Sequence, residues 1–276
     1  LLDAVAPSQV FPVFSYIFTA LQGAGALSSF LSSFGGLLIA LDGTEYFSSK
    51  KLHCPNCSTR QQKNGSTTYF HSVVTPVVVA PGQDKVIALE PEFILPQDGH
   101  DKQDCETAAG KRWLEQYGAR YSPLGVTILG DDLYCQQPMC ERILEAGCHF
   151  ILTCKPESHR TLYEWLEGLE GCGGIGTRTV KRWTGKEYQL DTYRYAEQVP
   201  LRDRADGLLV NWCGLTTTNQ AGKVLYHNAF ATDHRITGAK VKACVAAGRA
   251  RWKVENENNN TLKTKGYHLE HNYGHG

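Results

Sequence analysis

The stretch LLIALDG, residues 37–43, is a run of five apolar residues that stops at an acid and a glycine. A run this short and unbroken predicts a strand buried on both faces, as in a parallel sheet. The pattern returns twice downstream. Residues 126–129 (VTIL) stop at Gly130-Asp131-Asp132, and residues 149–154 (HFILTC) stop at Lys155-Pro156. Helical spacing lies between and after these runs. Residues 101–117 carry apolar or small side chains at 105, 108, 109, 113, 114 and 117, with Gly118 as a stop signal. Residues 138–146 precede Gly147, a C-cap candidate, and residues 159–169 predict a further helix. Alternating buried strands and helices predict an α/β fold.

Upstream, residues 4–41 contain no Asp, Glu, Lys or Arg. A membrane span needs about 20 mostly apolar residues. Here Pro7, Pro12, Gly23, Gly25, Gly35 and Gly36 interrupt the stretch, and no basic region precedes it. Neither a span nor a signal peptide is expected. Residues 14–34 predict one or two buried helices, with a turn at Gly35-Gly36. After the first strand comes a polar loop, then a strand over 67–79 and another over 86–95, paired as a hairpin. The texture changes at Gly171. Strand-like runs at 179–183, 188–195, 208–214 and 224–231 form a β-rich block, and helical pattern returns from Gly238 through Glu255 to Leu262. The organisation expected is an N-terminal helical segment (1–35), a core (36–170), a β-rich insertion (171–237) and a C-terminal helix (238–276).

Composition excludes some classes. Hydrophobic residues make up 42% and charged residues 20% of the 276 residues, which excludes wholesale disorder. Lys plus Arg and Asp plus Glu are each 28, so the chain is not a basic coat for nucleic acid. Local basic patches remain open. Arg178, Lys181, Arg182 and Lys186 interleave with Trp183 and Tyr188, which suits DNA contact and equally the exposed face of a hairpin. The ten Cys fall mostly in apolar segments, as reduced cytoplasmic cysteines do. The first residue is Leu and the one Met is Met139, so a truncated or processed chain is expected.

Asp42 and Asp131 each follow a buried strand, and in open α/β sheets function gathers at the carboxyl ends of strands. Glu255 lies one helical turn after Arg251. Three carboxylates converging from two strands and a helix suit Mg²⁺ or Mn²⁺, hard ions that take oxygen ligands and bind substrate phosphates. An Asp that ends a strand is also a common turn former.

The segments LLIALDGTEYFSS, ILGDDLYCQQP and RARWKVENENNNTLKTKGYHLEHNYGHG, in that order, resemble the DDE transposases of bacterial insertion sequences. Arg251-Trp-Lys-Val-Glu255 matches the family's Arg, three residues, Glu arrangement. The family's Lys falls one residue late, at Lys263, with Lys265 as another option. The resemblance covers about residues 30–276. It implies an RNase H-like mixed sheet flanked by helices, with a β-rich insertion before the last catalytic helix. It implies catalytic, metal-binding roles for Asp42, Asp131 and Glu255, and DNA contacts by Arg251 and Lys263. Asp132 is the runner-up to Asp131. Mg²⁺-dependent end cleavage and strand transfer, DNA partners, a homodimer in a synaptic complex and a cytoplasmic, nucleoid-associated location follow as expectations. The alternatives are an inactive, transposase-derived zinc and DNA-binding module, or a stand-alone metal-dependent nuclease.

Cys54-Pro-Asn-Cys57 has the spacing of a structural zinc half-site. His53, His71 and the Cys135/Cys140 pair are candidates for the missing ligands. A reduced turn without metal is the plainer reading. Lys155 could reach a phosphate at the rim or be a solvated loop residue. His268, His271 and His275 have ligand-like spacing or belong to the surface.

Overall fold

The structure is a computed structural model, and it describes residues 6–95 and 104–270. The chain opens with α1 (Pro7–Val10), α2 (Pro12–Gly23) and a 3₁₀ turn at Ala26–Phe30. Seven strands follow: β1 (Leu38–Ala40), β2 (Gly43–Ser49), β3 (Ser58–Gln61), β4 (Thr67–Val74), β5 (Val77–Val79), β6 (Ile87–Ala88) and β7 (Glu92–Ile94). Then come α3 (Glu106–Tyr121), β8 (Thr127–Gly130), α4 (Gln137–Glu145), β9 (His149–Thr153) and α5 (Arg160–Gly171). Four long strands follow: β10 (Gly176–Trp183), β11 (Tyr188–Pro200), β12 (Leu209–Asn219) and β13 (Val224–Thr232). Last are α6 (Val241–Arg249), a π-helical turn at Val254–Asn259 and α7 (Asn260–Thr264).

The fold is mixed α/β, as the apolar runs predict. A nine-stranded sheet has the order β10-β11-β12-β13-β9-β8-β1-β5-β6. Strands β1, β8 and β9 are parallel neighbours, and the remaining pairs are antiparallel. Side chains alternate across the sheet. Leu37, Ile39 and Leu41 join a core with Trp113 and Leu114 of α3, Met139 and Ile143 of α4, and Leu162 of α5. Leu38 and Ala40 face the other layer, with Val241, Cys244 and Val245 of α6 and Val254. Helices therefore cover both faces, which explains why the central strands read as unbroken apolar runs.

The β-rich block is antiparallel, as its texture predicts, but it is no separate layer. Its strand β13 pairs with β9 through Phe230 and Thr153, so the block extends the main sheet. Several local expectations need correction. The run 67–79 is two strands, because Pro76 has no N–H for a continuous ladder. Strand β4 belongs to a second sheet of order β2-β4-β3 with β7 beside β4, while β5 enters the large sheet. The run 86–95 likewise divides into β6 and β7 around Pro91. The hairpin survives as the pairs β5–β6 and β4–β7. The loop after Asp42 contains strands β2 and β3. Gly118 does not stop α3. It sits where an added Cβ would lie 2.9 Å from the Ala146 side chain, so its role is close helix packing. The N-terminal helices are only half-buried. Phe18 is buried and meets Tyr121 edge-on at 5.1 Å, but Tyr16 is 76% exposed. Residues 1–5, 96–103 and 271–276 lie outside the described residues, and with them parts of the terminal segments, the start of the helix expected at 101, and His271 and His275.

Candidate active site

Strands β1 and β8 run parallel with Ala40 opposite Leu129, so both release the chain at one rim of the sheet. The Leu41 N–H still donates to the Leu129 carbonyl at 2.9 Å. Asp42 and Asp131 follow at that rim. From the opposite helical layer, Arg251 brings its Nη1 to 3.2 Å from Asp42 Oδ1, with the two side chains 12% and 18% exposed. Glu255 is exposed and stands in the π-helical turn, a feature found often at functional sites. A fourth acid completes the group. Glu106 opens α3, and its Oε1 accepts the Gly43 N–H at 2.9 Å. A Cβ on Gly43 would lie 2.4 Å from Glu106 Oε2, so only glycine permits this approach.

The electrostatics tie these groups together. Burial pushes the Asp42 carboxyl up to about 7, Arg251 opposes the rise, and Glu106, Asp131 and Glu255 add to it. Burial and then Asp131 also raise Glu106, against the Gly43 N–H, Tyr134 and Arg251. The fully buried Tyr134 stands beside Glu106 and keeps its proton. Four carboxylates around one guanidinium make a site that favours added positive charge. The acids are not drawn tight. Among the described residues, the His, Cys, Asp and Glu sets with ligand atoms all within 4.8 Å are Cys54/Cys57/His71, Cys135/Cys154/His159 and His149/Asp233/His234. Asp42, Asp131 and Glu255 are spaced more widely than that, with Arg251 on Asp42.

The rim is braced from behind. Thr75 donates its N–H to the Asp42 carbonyl at 2.9 Å and its hydroxyl to Asn259 Oδ1 at 2.9 Å. Asn258 Nδ2 donates to the same Asn259 oxygen at 3.0 Å, and both asparagines are buried. The strand end that carries Asp42 is thus bonded to the turn that carries Glu255. Thr75→Val keeps the shape and removes the hydroxyl. It will lower stability by about 1–2 kcal/mol, read as a thermal melt, and weaken any Mg²⁺-dependent activity more than stability alone explains.

No family model and no curated protein sequence matches this chain. The geometry must therefore carry the reading. Among the described residues, no helix is long and apolar enough to cross a membrane.

The adjacent acids differ in what holds them. Asp131 Oδ1 accepts the Leu133 N–H at 2.8 Å within its own turn. Asp132 is committed to the loop after β9: Oδ1 accepts the Lys155 N–H at 2.7 Å, Oδ2 accepts the Ser158 hydroxyl at 2.5 Å, and His159 Nε2 lies 3.3 Å away. Lys155 thus meets Asp132 through its backbone. Lys263 pairs with Glu270 at 2.9 Å, and Lys265 is exposed. In the β10–β11 hairpin, Arg178 donates to the Gly238 carbonyl and Arg182 to Asp191, while Lys181 lies over Tyr188. Trp183 and Tyr188 are exposed there.

Sequence reasoning missed Glu106 as a site residue. An acid in the first turn of a helix ordinarily complements the helix dipole, and its Gly43 partner is 63 residues away. Of the zinc candidates, His71 joins Cys54 and Cys57. His53 instead stacks on Tyr69 at 4.3 Å, and Cys135 groups with Cys154 and His159. Cys140 is buried elsewhere, and His268 is exposed.

Proposed function

We propose that the chain is a DDE transposase with an RNase H-like core, and that Asp42, Asp131 and Glu255 are its catalytic acids. One observation carries the reading: two strand-end acids on adjacent parallel strands share a rim with Arg251, which stands in the turn between α6 and the segment that carries Glu255. The order β6-β5-β1-β8-β9, antiparallel on one side of β1 and parallel on the other, supports the RNase H-like core.

The donor set fits a hard divalent cation. Carboxylate oxygens are the ligands Mg²⁺ and Mn²⁺ take, and the acids Glu106, Asp131 and Glu255 add to the rise that burial imposes on the Asp42 carboxyl. When bound, Mg²⁺ supplies polarisation of the scissile phosphate and a lowered pKa for the attacking water or hydroxyl. The chain's own residues do the rest. Arg251 neutralises Asp42 between turnovers and is free to turn to a phosphate once that acid has another counter-charge. Glu106 holds the Gly43 backbone, so the chain leaves β1 at a fixed angle. Thr75 and Asn259 fix the distance between the Asp42 and Glu255 elements. Asp132 keeps the loop after β9 packed at the rim without entering the site.

The chemistry expected is hydrolysis at a transposon end that frees a 3′-hydroxyl, then in-line attack of that hydroxyl on a target phosphodiester, with DNA ends held in a synaptic homodimer. The test uses DNA duplexes built from the sequence flanking the gene, end-labelled and incubated with a supercoiled plasmid and Mg²⁺. Joining of label to plasmid is expected. Cleavage without joining would make the chain a stand-alone nuclease. Binding without cleavage would make it a non-catalytic DNA-binding module.

A further inference from the structure

Away from the acidic rim, the β2-β4-β3 sheet holds a second constellation. The turn at 54–57 closes with the Cys57 N–H on the Cys54 carbonyl at 3.1 Å, and the Cys54 N–H points to Cys57 Sγ at 3.3 Å. Strand β3 leaves this turn and pairs with β4, Ser58 opposite Phe70. The next residue of β4 is His71, which pairs on its other side with Phe47 of β2. Register therefore lays the turn over the His71 side chain. Cys54 Sγ and Cys57 Sγ are each 3.4 Å from His71 Nε2 and 3.9 Å from each other.

Two features of this triangle point to a metal. First, one imidazole nitrogen has either one N–H or one lone pair along its axis. It meets two thiols at equal distance only through a weaker, shared three-centre hydrogen bond, whereas an ion at the centre bonds all three atoms in full. Second, the edges match a tetrahedral zinc. Bond lengths of about 2.3 Å to sulfur and about 2.0–2.1 Å to nitrogen put sulfurs about 3.8 Å apart and sulfur about 3.6 Å from nitrogen. The sulfurs are far outside the disulfide distance of about 2.05 Å.

We propose that Cys54 Sγ, Cys57 Sγ and His71 Nε2 bind one structural Zn²⁺, an assignment that rests on ligand geometry alone and not on the catalytic reading. Thiolate and imidazole together select zinc over the hard ions suited to the acidic rim. Cys57 and His71 are buried, and the half-exposed Cys54 gives the ion its entry side, where a fourth donor or a water completes the tetrahedron. The His71 ring has two aromatic neighbours, stacked with Tyr46 at 5.7 Å and tilted against Phe47 at 5.5 Å. Tyr46 is the extra residue of a bulge where β2 pairs with β4, a device that re-aims a side chain.

The fold has a use for such a fastener. Thr59, Arg60 and Gln61 of β3 are exposed, so apolar burial contributes little to holding this arm. In small sheets of this kind, metal binding is itself folding free energy. The sheet also borders the acidic rim, because β2 begins one residue after Asp42 and β4 ends one residue before Thr75.

The full chain, purified without chelator and desalted, is expected to carry one zinc per chain by plasma mass spectrometry. Co²⁺ added to zinc-stripped protein is expected to give thiolate-to-cobalt charge-transfer absorption and tetrahedral d–d bands. Cys54→Ser, Cys57→Ser and His71→Ala each lose the zinc, His71→Cys keeps it, and the buried-thiol control Cys148→Ser keeps it. Wild-type protein without thiolate–cobalt absorption overturns the assignment, whatever the variants do to folding. So does zinc that persists in the Cys54→Ser/Cys57→Ser double variant, which would place it elsewhere. Neither result touches DNA joining, so the catalytic reading stands or falls separately.

Discussion

Asp42→Asn will make the protein more stable at pH 8 in Mg²⁺-free buffer, and it will abolish end cleavage. The reason is that Asp42 is buried, and held among like charges. Its carboxyl is pushed from an ordinary 3.8 to about 7, by burial first and by Glu106, Asp131 and Glu255 in addition. A carboxyl raised on folding binds its proton more tightly in the native state. Stability therefore falls as pH rises from about 4 to about 7, and the penalty is complete above that window. The shift corresponds to at most about 4 kcal/mol. The shift already includes the Arg251 attraction, and solvent at the partly exposed rim screens it, so a net gain of about 2 kcal/mol, or about 5 °C in melting temperature, is expected at pH 8. At pH 4 the gain vanishes, because wild-type Asp42 is protonated there. Mg²⁺ will raise the melting temperature of the wild type and not of the variant, since a ligand stabilises only the state that binds it. The buffer must be free of Mg²⁺ without a chelator, which would also strip the zinc proposed at Cys54, Cys57 and His71. A variant less stable than wild type at pH 8 would mean that the Arg251 pair outweighs the crowding, and that Asp42 is structural.

This trade of stability for charge explains which parts of the site can be read in a sequence. Strands β1, β8 and β9 are legible because parallel strands covered on both faces leave apolar runs, and the acids that follow β1 and β8 are conspicuous. Contacts at long range leave no such mark. Glu106 looks like any helix-opening acid until Gly43 is placed against it. Asn258 and Asn259 read as part of a polar Asn run, yet both are buried and Asn259 holds Thr75. Pro76 was the visible sign that the run 67–79 divides between two sheets, but the β-branched residues around it mask the break. The CxxC turn is legible by spacing. That His71 and not His53 faces it depends on the β3–β4 register and on Tyr69, which takes up the His53 ring.

The adjacent acids provide the sharpest separation of chemistry from scaffolding. Asp131→Asn is expected to abolish cleavage and joining while leaving the melting temperature unchanged or slightly higher. Its carboxylate touches little beyond its own turn, the Leu133 N–H at 2.8 Å, and an amide replaces that contact while being a poor ligand for a hard ion. Asp132→Asn should do the reverse. Its two oxygens hold the Lys155 N–H and the Ser158 hydroxyl, with His159 at 3.3 Å, so the charge fastens the loop after β9 to the end of β8. The amide keeps one of these bonds and loses the charge-assisted strength of the others, a cost of about 1–3 kcal/mol. Burial opposes a charge on His159, but Cys135 and Asp132 outweigh it and raise the imidazole, so removing the Asp132 charge also makes this histidine easier to deprotonate. A lower melting temperature with substantial joining activity below that melt is the expected outcome for Asp132→Asn. The two variants, assayed side by side with thermal melts, distinguish the roles. An inactive, fully stable Asp132→Asn together with an active Asp131→Asn would put the catalytic acid one residue later, and the loop contacts of Asp132 would then have to break when DNA binds.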